Sequence, residues 1–227
     1  PWKHIGYQWY GYRYGARRLP PHLAVWRLPD PKLGFSAEGC WATILANHYS
    51  RKCDVLVRGF SGYNTRGGKY VLRRLFNRHD ASLVAAFVIM LGTNDSPTPQ
   101  NQGGAQLALE EYTANLEEML DYLQDCGLPK SKIILATPPP LDQYKWSVHT
   151  GNVGRPTMLL ARVQKFAEAC LNAGAKHGVQ TLNTFDGLLA EPVCKQQGFL
   201  MCFYQLLLYK QYHWHRQEDA HIKLMHQ

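Results

Sequence analysis

The chain has 227 residues, with 25 Lys and Arg against 17 Asp and Glu, a formal net charge of +8. At 45% hydrophobic and 19% charged it has the composition of a globular protein, which excludes a disordered chain, a collagen-like one and a disulfide miniprotein. No apolar run approaches the roughly 20 residues that cross a bilayer; Leu206-Leu207-Leu208 falls far short, so no membrane span is expected.

The charge is uneven. Lys3, Arg13, Arg17, Arg18, Arg27 and Lys32 stand against Asp30 alone, so five of the eight net positive charges precede residue 34. This reads as a basic end on a near-neutral domain, not as a nucleic-acid-binding domain. Residues 1–14 hold six aromatics (Trp2, Tyr7, Trp9, Tyr10, Tyr12 and Tyr14). They are compatible with a stacking arm for single strands, but no binding fold surrounds them, and they are read as an unstructured or mistranslated extension. Cys40, Cys53, Cys126, Cys170, Cys194 and Cys202 form no C-x-x-C and no short Cys/His spacing. That gives no metal site, and reduced thiols in a cytoplasmic protein. The absence of a charged-then-apolar leader points to the same compartment.

From residue 34 the chain alternates between two periods. Trp41–Tyr49 reads as a helix, and Cys53–Val57 (CDVLV) as a short buried strand ending at Arg58-Gly59. Leu83–Leu91 (LVAAFVIML) is wholly apolar and predicts a central parallel strand covered on both faces. In Leu109–Leu123, Leu109, Tyr112, Leu116, Met119, Leu120 and Leu123 share one stripe opposite Glu110, Glu111, Glu117, Glu118 and Asp121, an amphipathic helix. Lys132–Thr137 (KIILAT) predicts a strand stopped by Pro138-Pro139-Pro140. Pro156 is expected to open a helix through about Ala173, with Gly174 near its end. Val179–Asn183 is a further short strand. The alternation predicts an α/β fold with a doubly wound parallel sheet, whose chemistry lies in loops beyond the carboxyl ends of the strands. Two such loops stand out, Arg58–Arg66 (RGFSGYNTR) and Gly92–Ser96 (GTNDS). Each begins at or near a glycine that lets the backbone turn and approach a ligand. Gly, Asn, Asp and Ser are equally the residues of plain turns.

The run LGFSAEGCWATILANHYSRKCDVLVRGFSGYNTR, the segment LGTNDS and the helix–strand pair LEEYTANLEEMLDYL and KIILATPPPL resemble the SGNH (GDSL-type) hydrolases. The likeness is strongest to their isoamyl-acetate-hydrolysing esterase branch, and it covers roughly residues 33 to 193. It implies a flavodoxin-like sheet with helices on both faces, a three-layer α/β/α fold. It also implies hydrolysis of small carboxylic, acetate-type esters by a Ser-His-Asp triad, without metal, nucleotide or other cofactor. The implied oxyanion donors are the nucleophile's own N–H, Gly62 and Asn94. The types fit the chemistry: glycine exposes its N–H, and an amide NH2 donates without adding charge.

The remaining motifs depart from the family's pattern. Gly-Asp-Ser should precede LGFSAEG, but Trp26-Arg27-Leu28-Pro29-Asp30-Pro31-Lys32 stands there, with Pro29 at about the serine's place. Ser36 and Ser61 lie outside the motif position, so no nucleophile is assigned. Back-translation of Leu23–Lys32 with a one-base shift permits Leu-Leu-Phe-Gly-Asp-Ser-Leu-Thr-Gln, which reads residues before about 33 as out of frame. LAVWRL, from Leu23, is nevertheless apolar enough to fill the first strand's place. No D-x-x-H occurs. Asp186-Gly187-Leu188-Leu189 has the spacing but ends in Leu, and in Lys210-Gln211-Tyr212-His213-Trp214 the candidate base His213 has Lys210 where Asp is expected. His215, His221 and His226 are further histidines of the same tail. The chain thus divides into an extension at 1–32, a hydrolase domain at 33–193 and a divergent tail at 194–227. The alternative function is a catalytically inactive SGNH-like fold that binds a ligand or partner.

Overall fold

A computed structural model of the chain describes residues 22–27, 41–60, 62–99 and 105–190. Among these residues five strands, β1 (His22–Arg27), β2 (Asp54–Val57), β3 (Val84–Met90), β4 (Ile133–Ala136) and β5 (Gln180–Leu182), form one parallel sheet in the order β2-β1-β3-β4-β5. This is the flavodoxin-like arrangement, with its order reversing at β1. The strand expected of the LAVWRL run is therefore present from Leu23 to Arg27, with Leu28 outside the described residues. Val25 is level with Val57 on one side and Val88 on the other.

Alternation along β3 decides the layers. Phe87 and Ile89 point to one face, where they meet Leu72, Leu116, Leu120, Phe166 and Cys170. These come from α2 (Thr65–Leu75), α4 (Leu109–Asp125) and α6 (Leu160–His177). Ala86, Val88 and Met90 point to the other face, toward Leu45 of α1 (Trp41–His48) and Tyr49 just beyond it. An apolar strand without alternation is what a sheet covered on both faces requires. The α4 stripe is buried as its period predicts: Tyr112, Leu116, Leu120 and Leu123 are fully enclosed. Its acidic face is not merely solvated. Arg66 of α2 chelates Glu111 through two bonds of 2.6 and 2.8 Å, and Lys69 and Arg73 both reach Glu118.

Two expectations shift. The Pro156 helix begins at Leu160, because Thr157 instead uses its carbonyl to accept from Thr98 N–H at 2.8 Å. It also runs through Gly174 to His177 and is closed by Gly178 at φ +67, the left-handed residue that ends many helices. Gly174 serves packing instead: a Cβ there would overlap the Thr181 methyl of β5. Three further helices, α3 (Arg78–Leu83), α5 (Gln143–His149) and α7 (Thr184–Ala190), are short. α3 is started by an Asn77–Asp80 capping box and α5 by the Asp142 side chain. Among the described residues no helix is long and apolar enough to cross a membrane.

Candidate active site

β2 and β3 flank β1, so the loops leaving their carboxyl ends share one rim of the sheet. After β2 the chain turns at Gly62, which has φ +78. No described residue lies within 4 Å of where its Cβ would be, so backbone conformation calls for glycine. Asn64 then starts α2. Its side-chain oxygen accepts from Gly67 N–H at 3.1 Å, and its amide donates to the Ala105 carbonyl at 2.7 Å.

After β3 the turn is tighter. Gly92 has φ +129, and its carbonyl accepts from the N–H groups of Asp95 (3.2 Å) and Ser96 (3.0 Å). Here space is short as well. A Cβ on Gly92 would stand 2.9 Å from the Tyr112 hydroxyl and 3.0 Å from Cγ of Pro138, which follows β4. This turn sets Asn94 against the first loop: its amide donates to the Tyr63 carbonyl, beside Gly62, at 2.8 Å. A carboxamide carries two N–H groups. One of them holds the first loop.

A second tie lies underneath. Thr65, fully buried, donates both its N–H (2.9 Å) and its hydroxyl to Oδ1 of Asp95, also fully buried. Asn115 of α4 donates to the Thr65 hydroxyl at 3.1 Å. Oδ2 of Asp95 is enclosed without a hydrogen-bond partner among the described residues. Burial pushes the Asp95 carboxyl up to about 6, against the opposing pull of the Thr65 hydrogen bonds.

The structure therefore brings Gly62 and Asn94 together on adjoining loops. His213 and the tail histidines, Pro29, Ser36 and Ser61 lie outside the described residues. Asp186 is engaged locally, accepting from the Asn183 amide at 2.6 Å at the start of α7. The sequence reading passed over Thr65 and Asp95, although both stand within the two loops it singled out. Their pairing spans 30 residues and leaves no local pattern.

Fold and loops together define a three-layer α/β/α protein with these two loops at the switch point of the sheet. The family model of the GDSL-like lipase/acylhydrolases matches residues 23–200, which takes in β1 from Leu23 onward. The isoamyl acetate-hydrolyzing esterase 1 homolog of Rattus norvegicus is 40% identical over 172 residues, 74% of this chain and 68% of that protein. Its Homo sapiens counterpart is 38% identical over 171 residues, with the same coverage. Among solved structures, a lipase/acylhydrolase from Enterococcus faecalis superposes with a TM-score of 0.61 over 85% of this chain and 95% of its own, at 16% identity. A catalytic mutant of the acetylxylan esterase Axe2 from Geobacillus stearothermophilus gives 0.58 over 84% and 93%, at 14% identity. At such identities the two structures speak for the fold. The chain belongs to the GDSL-like lipase/acylhydrolase family, a family of carboxylic ester hydrolases.

Proposed function

We propose that this chain hydrolyses small carboxylic esters of the acetate type, with Gly62 N–H and the Asn94 amide holding the oxyanion. The carrying observation is the 2.8 Å bond from the Asn94 amide to Tyr63, which keeps the two donors on one rim. In this reading a serine attacks the ester carbonyl and the carbonyl oxygen gains charge between the two donors. A histidine takes the serine proton and returns it to the leaving alcohol, and water then releases the acid. The nucleophile belongs beyond the carboxyl end of β1, and His213 is the candidate base. The acetate preference rests on the relatives named for isoamyl acetate and on the acetylxylan esterase that shares the fold.

Pro29, at about the serine's place, favours a second reading, a fold that binds an ester without cleaving it. Isoamyl acetate hydrolysis and stoichiometric labelling by a fluorophosphonate decide between the two. Turnover and labelling support the esterase; a folded chain that does neither is the non-catalytic form. In an active chain Asn94→Ala lowers kcat on the order of 10²–10³-fold, the loss of one oxyanion donor.

A further inference from the structure

The segment after Asn94 is long, running to Ala108 before α4 begins. Its two ends converge, since Leu107 N–H donates to the Asp95 carbonyl at 2.9 Å. Arg162, in the first turn of α6, reaches across to that junction. Its Nε lies 3.0 Å from the Ser96 carbonyl and 3.1 Å from that of Pro97, and one terminal nitrogen lies 3.0 Å from the Leu107 carbonyl. The three acceptors thus hold the chain just past Asp95. Ser96 follows it in the chain, and Leu107 is the residue hydrogen-bonded to it.

The same helix supports the loop's other root. The Arg162 guanidinium lies over the Phe166 ring, 5.2 Å from its centroid. Phe166 contacts Tyr112 at 4.9 Å between ring centroids, and the Tyr112 hydroxyl donates to the Leu91 carbonyl at 3.1 Å. Leu91 immediately precedes Gly92. A planar fork with fixed donors suits three fanned carbonyls, whereas a lysine ammonium is a compact point charge on a flexible stem. A salt bridge is not the purpose, because every hydrogen bond that Arg162 makes among the described residues goes to a backbone carbonyl.

We propose that Arg162 is a positioning residue for ester hydrolysis: by bracing the chain just past Asp95 directly, and the chain before Gly92 through Phe166 and Tyr112, it fixes the Asn94 amide against the Gly62 loop. This rests on the esterase reading above. The test uses the full chain with p-nitrophenyl acetate, comparing Arg162→Met, Arg162→Lys, Asn94→Ala and the double variant Arg162→Met/Asn94→Ala. Lys176→Met, which breaks an ion pair to Glu117, is the control. Displacement of a catalytic group by about 1 Å costs on the order of 10²-fold, so Arg162→Met should lose roughly that in kcat with KM little changed. Arg162→Lys should recover part of the loss, and Lys176→Met should show none. If Arg162 acts through Asn94, the double variant is no slower than Asn94→Ala alone.

Multiplying losses in the double variant, or an unchanged kcat in a folded Arg162→Met, overturns the proposal while leaving the esterase reading intact. A folded wild-type chain without turnover overturns both. Amide exchange at Leu107 and Thr98 separates positioning from bulk destabilisation. It should accelerate in Arg162→Met at those two sites and not in the β3 core.

Discussion

Replacing Asp95 by Asn isolates one buried charge. The carboxyl ionises at about 6 in the fold against an ordinary 3.8, and the cause is its removal from water. A carboxyl whose native value is raised favours folding only while protonated, so its contribution is complete below 3.8 and is lost as pH rises through about 6. At about 1.4 kcal/mol per pH unit, the gap amounts to about 3 kcal/mol of stability forfeited by the wild type in neutral solution. Asn keeps an oxygen for the two Thr65 donors but does not titrate. Urea unfolding of both proteins between about pH 4 and about pH 8 should show the variant gaining roughly 2–2.5 kcal/mol on the wild type, mostly between pH 4 and 6. Every other titrating group is common to the two, so the difference curve isolates Asp95 and its coupling to Glu111. A stability difference independent of pH over that range would refute the reasoning, whatever its absolute size.

The two loop glycines should fail unequally. Gly92→Ala meets both a disallowed backbone and the rigid Pro138 ring, for a loss of about 3 kcal/mol or more, whereas Gly62→Ala meets only the conformational penalty of about 1 kcal/mol. Equal losses in denaturant titration would show that space at Gly92 is not limiting. Gly174→Ala, a change that ordinarily stabilises a helix, should instead destabilise by about 1–3 kcal/mol through overlap with Thr181. Thr181→Ser removes the offending methyl and should restore the stability of that variant; failure to do so would place the strain elsewhere.

Elements with strong periodicity or unbroken apolar runs were legible from the sequence. β3 and α4 fall within a residue or two of their expected bounds, because burial on both faces or on one stripe leaves a pattern in the residues themselves. α2 was not legible: its Gly67-Gly68 pair lowers helix propensity by about 1 kcal/mol per glycine. The helix forms because Asn64 caps it and Gly68 lets it approach Leu91 closely. The start of α6 was misplaced for a related reason, since Thr157 takes a tertiary partner in Thr98 rather than a helical one. Gly62 and Asn94 could be named from short motifs. Thr65–Asp95 and Arg162–Ser96 could not, because contacts across 30 and 66 residues depend on how the sheet is wound.

The strand order has one more consequence. β2 and β3 do not pair with each other; each is hydrogen-bonded to β1, which lies between them. The amino-terminal strand is therefore the ruler against which the two loops are aligned. A slip of one residue against either neighbour would slide one loop past the other by about 3.3 Å, more than a hydrogen bond tolerates. The Asn94–Tyr63 and Asp95–Thr65 bonds work as a vernier on that ruler, closing only at the register in which Val25 stands level with both Val57 and Val88. The length and register of the β1 backbone thus carry the measurement for both loops at once.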